Sequence, residues 1–311
     1  TDMFTVGMSL PAVFGTDVPK GNYADLTTKG FELSVSWRDQ FQLASKPFNY
    51  EVRFTLADYQ STIDKYNNPE KKLGDDYYYE GMKVGEIWGY ETEGFFTSQA
   101  DIDSHAKQPY FYAGATAGQW LPGDIKFKDL NGDGVIDYGN NTVDNPGDQK
   151  IIGNSEPRFI YGINLSGDWN NFFVSAFFQG VGKQDWWPGS EASYFWGMYN
   201  RPYNDMPKSH LGNIWTEENP NTYFPRLRGY SSEEPYAELN LKQTRYLQNI
   251  AYIRMKNIQL GYTLPKSFIS KLRMQNAKVY VSGENLWSWS PFYKYSKDLD
   301  VEAVRGSDRD L

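Results

Sequence analysis

Several stretches of this chain alternate apolar and polar residues with a period of two. In FNYEVRFTL, Phe48, Tyr50, Val52, Phe54 and Leu56 fall on one face, and Asn49, Glu51, Arg53 and Thr55 fall on the other. Successive strand side chains point to opposite sides, so this predicts a β-strand with one apolar and one charged face. FELSVSWRD repeats the pattern, with Phe31, Leu33, Val35 and Trp37 against Glu32, Ser34, Ser36 and Arg38. FIYGINLSGDW sets Phe159, Tyr161, Ile163, Leu165 and Trp169 against Asn164, Ser166 and Asp168, and KVYVSGENLWSW puts Val279, Val281, Trp287 and Trp289 together. AYIRMKNIQLGYTLP begins with Ile253 and Met255 on one face, then slips so that Ile258, Leu260 and Tyr262 share a face. A slip of one residue predicts a β-bulge near Asn257. NFFVSAFFQGV is apolar on both faces and reads as the most buried strand.

The connections are unequal. SGDWNN predicts a short turn, and TLPKSFISKLRMQNAK a moderate connection holding one helical turn, with Pro265 near its start. Residues 97–157 and 182–246 are long and rich in Gly, Pro, Asn, Asp, Tyr and Trp. Loops of that length are usually functional or disordered.

Composition narrows the classes. The 311-residue chain carries a formal net charge of −8, which argues against a nucleic-acid partner, since that needs a clustered basic surface. It has no cysteine, which excludes disulfide frameworks, cysteine-ligated zinc and thiol catalysis. The two histidines, His105 and His210, are expected to be solvated loop residues. Aromatics make up 17% of the chain, yet the mean hydropathy is −0.66. No apolar run reaches the ~18 residues of a membrane helix. That leaves open a membrane barrel, whose strands alternate. TDMFTVGMSL lacks the basic start and apolar stretch of a signal peptide. Both ends, including the polar RGSDRDL, are expected to be cuts in a longer chain.

An all-β chain of alternating strands fits either a secreted β-sandwich that binds glycans or a membrane barrel. Three features favour the barrel. Several runs match the ~9–11 residues of a tilted membrane strand. Their apolar faces carry Trp, Tyr and Phe near strand ends, as interfacial girdles do, and their opposite faces suit a wet lumen.

Six stretches together resemble one family, the SusC/RagA type of TonB-dependent outer-membrane transporters of Bacteroidota. They are EIWGYETEGFF (86–96), PGDIKFKDLNGDGVID (122–137), KIIGNSEPRFIYGINL (150–165), VSAFFQGVGKQDWW (174–187), YIRMKNIQLGYTLP (252–265) and VYVSGENLWSWS (279–290). The resemblance implies an antiparallel transmembrane β-barrel segment, part of a 22-stranded barrel, with long extracellular loops. On that basis residues 1–311 are expected to be the C-terminal part of the barrel domain, without the plug domain and the last strands. The family further implies import of oligosaccharides, or in some members peptides, across the outer membrane of a Gram-negative bacterium. Its members work with a SusD-like surface lipoprotein and take energy from TonB, here through the absent N-terminal region. No enzyme activity is expected, and membrane lipid is a partner.

Two loop features carry candidate chemistry. In DLNGDGVID, Asp129, Asn131 and Asp133 fit the first three ligand positions of a calcium loop, Gly134 the sharp turn, Val135 a carbonyl ligand and Asp137 a water-mediated one. The twelfth position, normally a bidentate Glu, is Asn140. The stretch therefore reads either as a weak structural calcium site or as a plain turn needing positive φ; no cofactor is required. Trp186, Trp187, Tyr194 and Trp196 lie in one long loop, either as faces that stack on a ligand or as loop self-packing. A glycosidase pair cannot be singled out among the many carboxylates of residues 122–148.

Overall fold

The computed structural model describes residues 2–6, 20–75, 77–108, 119–190, 192–228 and 237–304; the terminal RGSDRDL lies outside them. In chain order the strands are β1 (Asp2–Val6), β2 (Lys20–Leu43), β3 (Lys46–Lys65), β4 (Glu86–Tyr90), β5 (Thr92–Phe95), β6 (Ile125–Phe127) and β7 (Gln149–Asn154). Then come β8 (Arg158–Trp169), β9 (Phe172–Lys183), β10 (Asp185–Trp186), β11 (Gln248–Asn249), β12 (Tyr252–Thr263) and β13 (Lys278–Trp289). Short helices are α1 (Gln99–Ser104), α2 (Ser193–Trp196) and α3 (Lys266–Ile269).

Seven strands form one antiparallel sheet in the order β1-β2-β3-β8-β9-β12-β13. The predicted faces hold across it: Trp37 pairs with Val52, Val52 with Leu165, Leu165 with Ala176, and Leu260 with both Val174 and Val281. The bulge falls where the pattern slips, between Met255 and Asn257, and it shifts the register against both neighbours. Strands β8, β9, β12 and β13 are each 12 residues long. At roughly 3.4 Å per residue such a strand reaches about 40 Å, which at a 45° tilt spans a ~30 Å hydrocarbon layer. Strands β2 and β3 run to 24 and 20 residues, well past the predicted nine-residue runs. They continue as a paired ribbon up to Asp25–Lys65.

The apolar face of the sheet is open. Trp37 is 61% exposed and Val281 77%, and Phe31, Leu33, Val35, Leu260, Trp287 and Trp289 are exposed with them. Among the described residues no second sheet covers this face, so a sandwich is not formed. An apolar surface this large is stable where the surrounding solvent is itself apolar, as in lipid. The expectation for NFFVSAFFQGV is corrected. Phe172 and Val174 are exposed, because one face of β9 belongs to this outer surface. Its other face is the polar side, where Phe173 lies over Gly261 and a Cβ there would come within 2.2 Å of the ring.

All short connections lie at one end. Ala44–Ser45 and Asn170–Asn171 each have positive φ at both residues, the type I′ geometry of two-residue hairpins. The third connection at this end carries α3 just after Pro265, as predicted. The long connections lie at the other end and fold together. Their core holds Phe195, Trp196, Tyr199, Phe224, Tyr246 and Phe292, all at most 1% exposed. A smaller cluster of Ile63, Leu73, Tyr79 and Met82 anchors the tip of the β2–β3 ribbon. Much of the deepest packing thus lies in segments that read as loops.

Candidate functional site

On the polar face, Glu51 accepts from Arg38 at 3.0 Å and lies 3.6 Å from Arg53, and Asn49 donates to Asp168 at 2.8 Å. At the outer end of β12, Arg254 pairs with Asp300 and Glu302, each at 2.6 Å, and Lys256 donates to Glu302 at 2.8 Å. These pairs tie the segment after β13 to the bulged strand. The wall therefore offers a charged, hydrogen-bonding inner surface behind an apolar outer one.

The DLNGDGVID loop is closed by its own backbone. Asp129 accepts from the Gly132 and Gly134 amides at 2.6 and 2.9 Å, and Asn131 accepts from Asp133 N at 2.9 Å. Asp133 accepts from Val135 N at 2.9 Å, and Asp137 from Gly139 N at 2.7 Å. Gly132 and Gly134 both have positive φ, the conformation such a turn demands. The staple at its base is Asp148, fully buried. One of its oxygens accepts from Leu130 N at 2.7 Å and the other from Asp137 N at 2.8 Å. Burial raises the Asp148 pKa, while these amide bonds oppose the rise. Among the described residues no three acidic or imidazole side chains converge to hold a metal ion. The loop carboxylates of Asp129, Asp133 and Asp137 each accept from amides of their own turn.

Two of the four loop aromatics are buried. Trp186 is 5% exposed and Trp196 0%; their rings pack edge-on to Phe195, and Trp196 Nε1 donates to Pro188 O at 3.0 Å. That corrects the ligand-stacking expectation for both, since their faces are covered. Trp187 is half-buried beside Trp196, and of the four only Tyr194, at 52%, is exposed. His210 is also corrected. It is fully buried, 4.0 Å from the Phe224 ring, with Nε2 donating to Phe195 O at 2.9 Å and Nδ1 unpartnered. Burial lowers its pKa to about 4. No local pattern marks it, because the rings that cover it come from Tyr199 and Phe224.

A buried ionic cluster joins the start of β6 to Arg226, Arg228 and Glu238. Asp124 accepts from Arg226 at 2.5 Å and from Arg228 Nε at 2.8 Å, and Glu238 accepts from Ile125 N at 2.8 Å. Burial, reinforced by Asp124, pushes the Glu238 carboxyl up to about 8 against the opposing pull of Arg228.

Between these parts lies a cleft of about 400 Å³, lined by Tyr77, Tyr79, Trp88, Tyr90, Tyr138 and Lys242 among others. Tyr79 donates to Glu86 and accepts from Trp88 Nε1 at 3.3 Å; Lys242 pairs with Asp75 across the rim. Rings with convergent amides and charges are the usual makeup of a ligand pocket. In the sequence only the run Tyr77, Tyr78 and Tyr79, shortly before EIWGY, marks it.

No family model matches the chain. It is 26% identical over 299 residues to TonB-dependent receptor P3 of Formosa agariphila, covering 91% of this chain and 26% of that protein. TonB-dependent receptor P26 of the same organism is 26% identical over 306 residues, covering 94% and 28%. The fold matches solved RagAB structures. One, a peptide importer in the open-open state, gives a TM-score of 0.63 at 18% identity over 97% of this chain and 29% of that one. Another, a peptide transporter, gives 0.64 at 17% over 96% and 29%. The chain is similar in sequence to TonB-dependent receptors and shares the fold of the RagAB structures. It spans 26% to 30% of the length of the curated relatives it matches. In a barrel of this fold the outward apolar face is the lipid-facing wall, and the folded loops form a head at one end.

Proposed function

We propose that residues 1–311 form the C-terminal part of the barrel domain of an outer-membrane importer. The cargo is an oligosaccharide or a peptide, taken up with a SusD-like surface lipoprotein and driven by TonB through an N-terminal region. The chain's part is non-catalytic: it supplies wall and head. The observation that carries this reading is the two-faced sheet, apolar outside and charged inside, capped at one end by a folded head with an aromatic cleft. The cleft, with Tyr77 and Tyr138 exposed and Lys242 at its rim, is the part of the head best suited to a ligand that stacks and accepts hydrogen bonds.

The test is uptake by the native host with and without this gene. Labelled oligosaccharides and labelled peptides are supplied separately, and loss of one uptake on deletion identifies the cargo. If both uptakes persist at wild-type rates, the import reading fails. Tyr77→Ala with Tyr138→Ala is expected to weaken binding of that cargo by roughly tenfold or more, taking about 1–3 kcal/mol per stacked ring.

A further inference from the structure

The polar face of the sheet is not bare at its outer end. Beyond Trp289, where β13 ends, the chain turns through residues 291–294 and comes back over the inner side of the wall. Leu299, Val301 and Val304 are 2–3% exposed and share one apolar core with Val181 and Tyr252. Val181 and Tyr252 pair in register at the outer ends of β9 and β12, and by alternation both point inward. Apolar side chains on the wet face of a barrel stay dry only under a cover. Residues 299–304 are part of that cover.

The cover is fastened by charge. Arg254, also inward, gives Asp300 two hydrogen bonds, Nη2 to Oδ1 at 2.6 Å and Nη1 to Oδ2 at 3.1 Å, and gives Glu302 a third at 2.6 Å. Lys256 donates to the same Glu302 oxygen at 2.8 Å. A two-pronged guanidinium–carboxylate pair fixes geometry as well as charge. The covering segment is itself a closed turn: Asp300 accepts from Glu302 N at 2.9 Å, and its carbonyl accepts from the Ala303 and Val304 amides. The bulge takes part as well. Lys256 is the extra residue of β12 against β9, between the pairs Met255–Phe178 and Asn257–Phe177. A bulge re-aims side chains, and this one leaves Lys256 and Asn257 both on the inner side. The wall below the tie then continues polar through Gln259.

We propose that residues 299–304 are a fixed lip on the inside of the mouth, and that the tie to Arg254 and Lys256, by holding this lip in place, limits the size of the cargo that reaches the wall below it. Arg254 and Lys256 are positioning residues in this selection. The inference rests on the import reading, but its test needs no cargo, so a failed uptake assay and a failure here are told apart.

The test uses the full-length receptor with Gln259→Cys, since residues 1–311 hold no cysteine, and with any cysteine elsewhere replaced by serine. Maleimides carrying polyethylene glycol of increasing length are added from outside. With the tie intact, labelling is expected to fall steeply as the reagent lengthens. Arg254→Gln with Lys256→Gln is expected to raise labelling by the long reagents several-fold while the shortest reacts as before. Asp300→Asn with Glu302→Gln releases the tie from the other side; it should give the same change, and it replaces the first pair if that variant fails to insert. Hydrogen exchange over residues 299–304 is followed in parallel. If exchange rises while the ratio of long to short labelling stays the same, the tie is structural only and the proposal is overturned. An unchanged ratio with unchanged exchange overturns it too, because the tie then does not hold the lip. Failure of the shortest reagent to label Gln259→Cys in any variant would place the obstacle elsewhere, with the same result.

Discussion

Asp148 shows how a single buried carboxylate can organise a loop that looks like a metal site. Asp148→Ala removes the acceptor for the Leu130 and Asp137 amides. Unsatisfied buried amides cost about 1–3 kcal/mol each, so hydrogen exchange over residues 129–139 is expected to accelerate by at least tenfold. Adding a chelator to the wild type is expected to change nothing there. His210 carries the pH dependence of the head. It sits against Phe224, Tyr199 and the Phe195 carbonyl, and burial holds its folded pKa at about 4, below the 6.5 of an ordinary histidine. The stabilisation from keeping it neutral is therefore complete above pH 6.5 and is lost as pH falls toward 4, amounting to about 3 kcal/mol. Hydrogen exchange of residues 195–224 should rise over that window, and His210→Phe should flatten the rise; an unchanged profile would exclude His210 as the source. Neither residue was readable in the sequence. Which of many acids is buried, and which histidine is roofed by rings, depends on partners more than ten residues away.

At the scale of elements the sequence was far more legible. Period two predicted the faces of β2, β3, β8 and β13, and the phase slip predicted the bulge in β12. Local side-chain pattern is enough there because one face must meet an apolar solvent and the other must not. Less legible was β9, where rings on both faces look like burial; half of them face lipid and Phe173 packs over Gly261. Gly261→Ala is expected to lower the folded, heat-modifiable fraction of the receptor, at the ~1–3 kcal/mol typical of overpacking. Phe173→Ala should restore it. A double variant no better than Gly261→Ala would show that the ring is not the obstacle.

For the whole molecule, the two faces of one strand should respond oppositely to the same substitution. Val281→Arg faces outward and is expected to destabilise the barrel by about 2–4 kcal/mol if it lies near the bilayer midplane. Ser282→Arg, one residue on and on the polar face, should stay within about 0.5 kcal/mol. Refolding titrations into lipid vesicles measure both, and equal losses would contradict the assignment of faces. The head was the least legible part. Its Trp, Tyr and Phe residues carry no period, and only their convergence from three distant segments makes a core. That core has a consequence for biogenesis. A body packed around Trp196, Tyr199 and Tyr246 is too bulky to pass through a membrane folded, so these segments must cross as unfolded chain. Once they pack on the far side, slipping back would re-expose those rings to water, which costs the burial energy of each.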